Sequence, residues 1–118
     1  FIDLGPKNND RVDYPDYANK LGKKIDSGFC KKGILICGTG IGMSIVANRY
    51  ENVRAALCLN EKMAKLAIEH NNANVITFGQ RVIGNDVAKE IVDTFLGAEF
   101  EGGRHGRRVD KITAIENA

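Results

Sequence analysis

Cys37 stands at the junction of an apolar run, Ile34-Leu35-Ile36, and a glycine-punctuated turn, Gly38-Thr39-Gly40-Ile41-Gly42-Met43-Ser44. A thiol placed there can act as a base, because a helix beginning just after the turn offers unpaired N–H groups and the positive end of its dipole to negative charge. Gly38, Gly40 and Gly42 let the backbone approach a ligand that side chains would obstruct. Two other readings fit these residues alone. One is a tight turn around an inert cysteine, since free cysteine often behaves as a small buried hydrophobe. The other is a dinucleotide loop, but the acidic residue such a site carries at the end of the next strand is missing.

His70 is the second candidate. Asn60 is a good N-cap for a helix carrying Met63, Leu66, Ala67 and His70 on one face, so the imidazole is either an acid and base or an ordinary core or interface histidine. A helix that follows a parallel strand runs back along the sheet. His70 is therefore expected at the edge opposite Cys37, and if both serve one site, His70 comes from a second subunit. Arg104 and Arg108 are spaced i, i+4 and share one face if the last helix starts near Gly103, which suits either a bidentate hold on phosphate or a solvated basic patch. Cys58, at the end of a strand, reads as packing, and Cys30 has no assigned role.

The elements that must position these groups alternate along the chain. Phe1 to Gly5 reads as a short strand and Pro6 to Arg11 as a polar loop; Asp13-Tyr14-Pro15-Asp16 starts a helix whose Tyr17, Ala18, Leu21 and Ile25 face the sheet. Ile34 to Ile36 predicts a strand buried on both faces, followed by a helix from Met43 to Arg49. Strands over Val53 to Cys58 and Asn74 to Phe78 follow. Asn85 caps a helix with Val87, Ala88, Ile91, Val92 and Phe95 in one stripe, ending at Gly97. A last helix carries Val109, Ile112 and Ile115 as a weaker apolar face of the kind that packs on a neighbouring subunit. The pattern is α/β: a three-layer, Rossmann-like parallel sheet with helices on both faces and ligands at the carboxyl ends of its strands. Tyr14 and Arg81, each just after a strand, are expected at that edge with Cys37.

At 118 residues the chain is one domain, 1–118. A net charge of +2 and the lack of aromatic residues among the C-terminal arginines argue against a nucleic-acid partner, and no apolar run reaches the roughly 18 residues of a membrane span. The three cysteines form no C-x-x-C pair, which fits a reducing cytoplasm and indicates neither zinc nor a disulfide framework.

Asp13-Tyr14-Pro15, ICGTGIGMSIVANR, HNN at His70 to Asn72, GQRVIG and EGGRHGRRV, in that order, make the chain resemble the type B ribose-5-phosphate isomerases, a family that includes galactose-6-phosphate isomerase subunits. The resemblance implies an aldose-ketose isomerase of the pentose phosphate pathway. It moves a proton between C1 and C2 through a cis-enediolate, with no cofactor or metal. It makes Cys37 the base, Thr39 a steering group and His70 the acid and base that opens the furanose ring. Gly38, Gly40, Ile41, Gly42 and Ser44 of the loop, with Asn71, would hold the sugar. Arg81, Arg104 and Arg108 would bind phosphate, and Tyr14 would line the pocket. The family's shared-site homodimer, or a tetramer, is the implied assembly. Family members begin with a strand ending in an Asp-His pair that this sequence lacks, so the domain is expected to be incomplete at its N-terminus. Allose or galactose 6-phosphate are alternative substrates. A cysteine phosphotransfer protein and a non-catalytic sugar-phosphate-binding subunit are alternatives of other kinds.

Overall fold

The computed structural model describes residues 1–8 and 11–116, so part of the loop expected over Pro6 to Arg11 lies outside the described residues. Among these described residues, five helices and three strands follow in the order α1 (Tyr14–Asp26), β1 (Gly33–Cys37), α2 (Ile41–Ala47), β2 (Ala55–Leu57), α3 (Glu61–Glu69), β3 (Val75–Gly79), α4 (Asn85–Gly97) and α5 (Arg104–Glu116). The strands are parallel in the order β1-β3-β2, and Cys37 is paired with Gly79 at the carboxyl end of the sheet.

Pleating of β3 separates two cores. Val75 joins Ala18, Leu21 and Ile25 of α1, Leu35, and Met43 and Ala47 of α2 on one side. Ile76 and Phe78 join Ala64 and Ile68 of α3 and Ile91 and Phe95 of α4 on the other. Helices therefore cover both faces, which completes the three-layer α/β arrangement.

Several expectations need correction. The strand buried on both faces is β3, whose five residues are all buried; β1 lies at an edge of the sheet and leaves Ile36 51% exposed. Phe1 to Gly5 is outside the sheet, since the Asp3 carboxylate accepts the Gly5 N–H at 2.9 Å and bends the segment, leaving Leu4 to pack on the first core. On α3 the buried positions are Ala64 and Ile68, with Met63 and Leu66 turned outward. Small Ala64 lets the helix lie close to the sheet, and that rotates the larger side chains away. Asn60 does cap α3, accepting the Met63 N–H at 2.9 Å, whereas α4 is capped by Gly84 and Asn85 is its first residue. The helix after the glycine turn runs over Ile41–Ala47, and the second strand shortens to Ala55–Leu57.

Candidate active site

The thiol is held by its own loop. Gly40 takes φ of 87°, which an L side chain rarely adopts, and its N–H turns back to donate to Cys37 Sγ at 3.0 Å. Its carbonyl accepts from the hydroxyl of fully buried Thr77 at 2.8 Å, tying the turn to β3. Thr39 Oγ1 accepts the Ile41 N–H at 3.2 Å, and the Ser44 hydroxyl donates to the Ile41 carbonyl at 2.6 Å. The sulfur therefore sits half-buried at the start of α2, with a donor already pointed at it.

Two further predicted residues join this loop. The Tyr14 ring lies against Gly42, where an added Cβ would overlap Cε1, Cζ and Oη. The Arg81 side chain passes Gly38, whose Cβ would lie 3.4 Å from Arg81 Cδ. Tyr14 arrives there from the first turn of α1 and not from the end of a strand.

His70 and Asn71 are elsewhere. His70 caps the C-terminus of α3, before β3 begins at Val75, while Cys37 is in register with Gly79 at the other end of that strand. About 13 Å of sheet separates those ends. Gly102 and Gly103, with φ of 73° and 58°, turn the chain into α5, and the Glu101 N–H donates to the Glu69 carbonyl at 3.0 Å, docking this turn on the end of α3. That contact brings Glu101 Oε1 to 3.5 Å from His70 Nε2 and stacks the His105 ring on that of His70, with centroids 4.0 Å apart and planes 9° from parallel. Arg104 and Arg108 are exposed on the same helix.

His105 and Glu101 carried no role in the sequence reading. The signal was present, since His105 lies between the two arginines singled out for phosphate, but only the fold shows which ring it meets. Burial, first of all, and then the neighbouring His70 and Arg104 hold the His105 imidazole below its ordinary pKa; Arg108 adds to this and Glu101 opposes it. His70, Glu101 and His105 offer ligand atoms within 4.8 Å of one another. The two rings are nearly parallel, so their in-plane lone pairs run side by side and do not converge on one cation. Cys58 is the packing residue expected: it is 1% exposed, and desolvation pushes its thiol up to about 11.

A groove of about 830 Å³ runs along Arg11 to Lys23 and another of about 590 Å³ lies near Lys32, Asn74 and Phe100; neither is lined by Cys37 or His70.

A parallel sheet with helices on both faces and a thiol-glycine loop at the carboxyl ends of its strands defines a Rossmann-like α/β protein. The family profile described as Ribose/Galactose Isomerase matches residues 1–112, and the chain belongs to that family of isomerases. It is 50% identical over 115 residues to ribose-5-phosphate isomerase B of Escherichia coli, an alignment that covers 98% of this chain and 77% of that protein. The fold is similar to that of the Clostridium thermocellum ribose-5-phosphate isomerase B, with a TM-score of 0.95 and 52% identity over 98% of this chain and 78% of the other. It is also similar to the Mycoplasma genitalium ribose-5-phosphate isomerase B with bound ribulose-5-phosphate, with a TM-score of 0.94 and 47% identity over the same shares. Among the described residues no helix is long and apolar enough to cross a membrane.

Proposed function

We propose that the protein interconverts ribose 5-phosphate and ribulose 5-phosphate through a cis-enediolate, at sites shared between two copies of the chain. The observation that carries the reading is the Gly40 N–H aimed at Cys37 Sγ at 3.0 Å, which fixes the sulfur's rotamer on the rim of the glycine loop. His70 opens the sugar ring: the ring oxygen gains a proton as its bond to C1 breaks, and the anomeric hydroxyl loses one as the carbonyl forms. Cys37 then takes the proton from C2 of the open aldose and returns it to C1, while Thr39 steers proton exchange between O1 and O2. No atom is gained or lost. Loop N–H groups hold the enediolate oxygens, and such preorganised donors are typically worth roughly 100- to 1000-fold each in rate.

The placement of the arginines supports a shared site. Arg81 is beside the Cys37 loop, whereas Arg104 and Arg108 are on α5 with His70. One phosphate held by all three therefore needs the α5 of another copy, as does one sugar worked on by both Cys37 and His70. The exposed Ile36, Ile41 and Ile45 around the loop supply apolar surface for such an approach. Three free cysteines fit a reducing cytoplasm.

The test is a steady-state assay of the Cys37→Ser variant with ribose 5-phosphate. Loss of turnover with little change in KM is expected; turnover equal to that of the parent sinks the assignment. A parallel assay with allose 6-phosphate and galactose 6-phosphate fixes the preferred sugar, and ribose 5-phosphate is expected to give the highest kcat/KM.

A further inference from the structure

One imidazole of the α3–α5 cluster has no task in the reaction just described. His105 is 9% exposed, against 37% for the His70 side chain that it covers. The backbone of His70 is fixed at the end of α3 by its N–H to the Leu66 carbonyl, but that bond leaves the ring free to turn. Glu101, at 3.5 Å from Nε2 and itself 48% exposed, is too distant for a strong hydrogen bond. What fixes the ring plane is the stack.

We infer that His105 is a positioning residue, whose ring sets the plane in which His70 carries the ring-opening proton. The inference rests on the proposed role of His70. His105 suits the task because it is itself held: it is on the buried face of α5 one turn before Val109, which is 7% exposed, and the α5 turn is tied to Glu69. The platform must also stay uncharged while His70 gains and loses a proton, since two stacked imidazolium rings repel each other. Burial and the cations Arg104 and Arg108 favour that neutral form. A neutral ring face then attracts a protonated His70 and does not repel it. A polar residue without a ring would fill the space and leave the plane of His70 unset.

Three variants of the full chain, His105→Ala, His105→Gln and His105→Phe, test this by kcat and KM on ribose 5-phosphate, beside Cys37→Ser and His70→Ala. Displacing a reacting group by about 1 Å costs up to roughly 100-fold in rate. A loss of roughly tenfold to 100-fold in kcat is therefore expected for His105→Ala and His105→Gln, with KM little changed, and His105→Phe should restore most of it. In the parent, the His70 ring protons should resonate upfield under the ring current of His105, move downfield in the Gln variant and return in the Phe variant. Parent-like kcat in His105→Ala with Cys37→Ser and His70→Ala both impaired overturns the inference alone, and a parent-like His70→Ala overturns the reading beneath it. If His105→Gln is active and His105→Phe is not, His105 works through its nitrogens and the inference fails. Should the variants not fold, the parent still decides, because the absence of upfield His70 protons there means that the rings do not stack.

Discussion

The Cys37 loop and the His70 cluster are built from different materials. Around Cys37 the contacts are backbone: Gly40 N–H to the sulfur, Gly40 C=O to buried Thr77, and Gly79 packed so closely on Gly38 and Thr39 that a Cβ there would overlap the Gly38 carbonyl and the Thr39 backbone. Around His70 they are side chains at the ends of two helices, stacked rings and a half-exposed carboxylate. The difference matches the task proposed for each. Under the proposed mechanism, charge developing on an enediolate is stabilised best by donors that do not move, whereas ring opening needs a side chain that can take up and give back a proton. In the shared-site arrangement proposed above, their separation along β3 would make each the missing wall of the other in a neighbouring copy.

Separating the two halves by mutation gives the largest effect first. Cys37→Ser should lower kcat by roughly 100- to 10,000-fold, the range of a general base, while KM for ribose 5-phosphate stays near that of the parent. A KM that rises as much as kcat falls would show that the sulfur binds the sugar and does not carry its proton. Mixing Cys37→Ser with His70→Ala chains under conditions of proven subunit exchange should then restore up to about a quarter of parental activity, since half the dimers are hybrid and each has one intact site. No recovery would argue for sites formed within one chain. Arg104→Ala and Arg108→Ala should each raise KM by about tenfold or more, as expected for a lost charged hydrogen bond to phosphate, and the effect should follow the His70 parent in hybrids. A KM set by the Cys37 parent would move the phosphate to the other edge.

The Cys37 half was the more legible in sequence, because backbone sites leave glycines at fixed offsets. Its cysteine and its glycines could be read from the order of residues, though the helix begins at Ile41, two residues before the expected Met43. Tyr14 and Arg81 were expected at the same edge, though Tyr14 comes from a helix. The His70 half was legible only as parts. His70 and the two arginines stood out, but the stack with His105 depends on how α5 turns at Gly102 and Gly103 and docks on Glu69, a contact with no periodicity to announce it. The sheet followed the same rule. Alternation of strands and helices predicted its class, while the full burial of β3 follows from its place between β1 and β2, where polar Thr77 is buried with its hydroxyl donating to the Gly40 carbonyl.

Rigidity of the loop can be tested without assaying activity. Gly40→Ala imposes a side chain at φ of 87° and sets its Cβ 2.8 Å from the Phe78 Cα, with backbone on one side and Leu57 on the other. Strain and overpacking together should cost about 2–4 kcal/mol, read as a lower midpoint in urea with an unchanged slope. Gly103→Ala, at φ of 58° with open space around it, should cost less, about 1 kcal/mol. Equal costs would remove the contrast between a packed loop and an open turn.

The smallest effect tests the side-chain half through pH. His105 has its folded pKa depressed below the ordinary 6.5, mainly by burial and next by His70 and Arg104, so between those two values the unfolded chain binds a proton that the folded chain does not. Stability from this group is therefore fully present above about 6.5 and is lost as pH falls through the folded value. Urea midpoints measured downward from pH 7.5 should drop more for the parent than for His105→Phe, which has no proton to take up, with the gap opening below about 6.5. If the two curves stay parallel, His105 titrates as a free imidazole, and the neutral platform beneath His70 is lost with it.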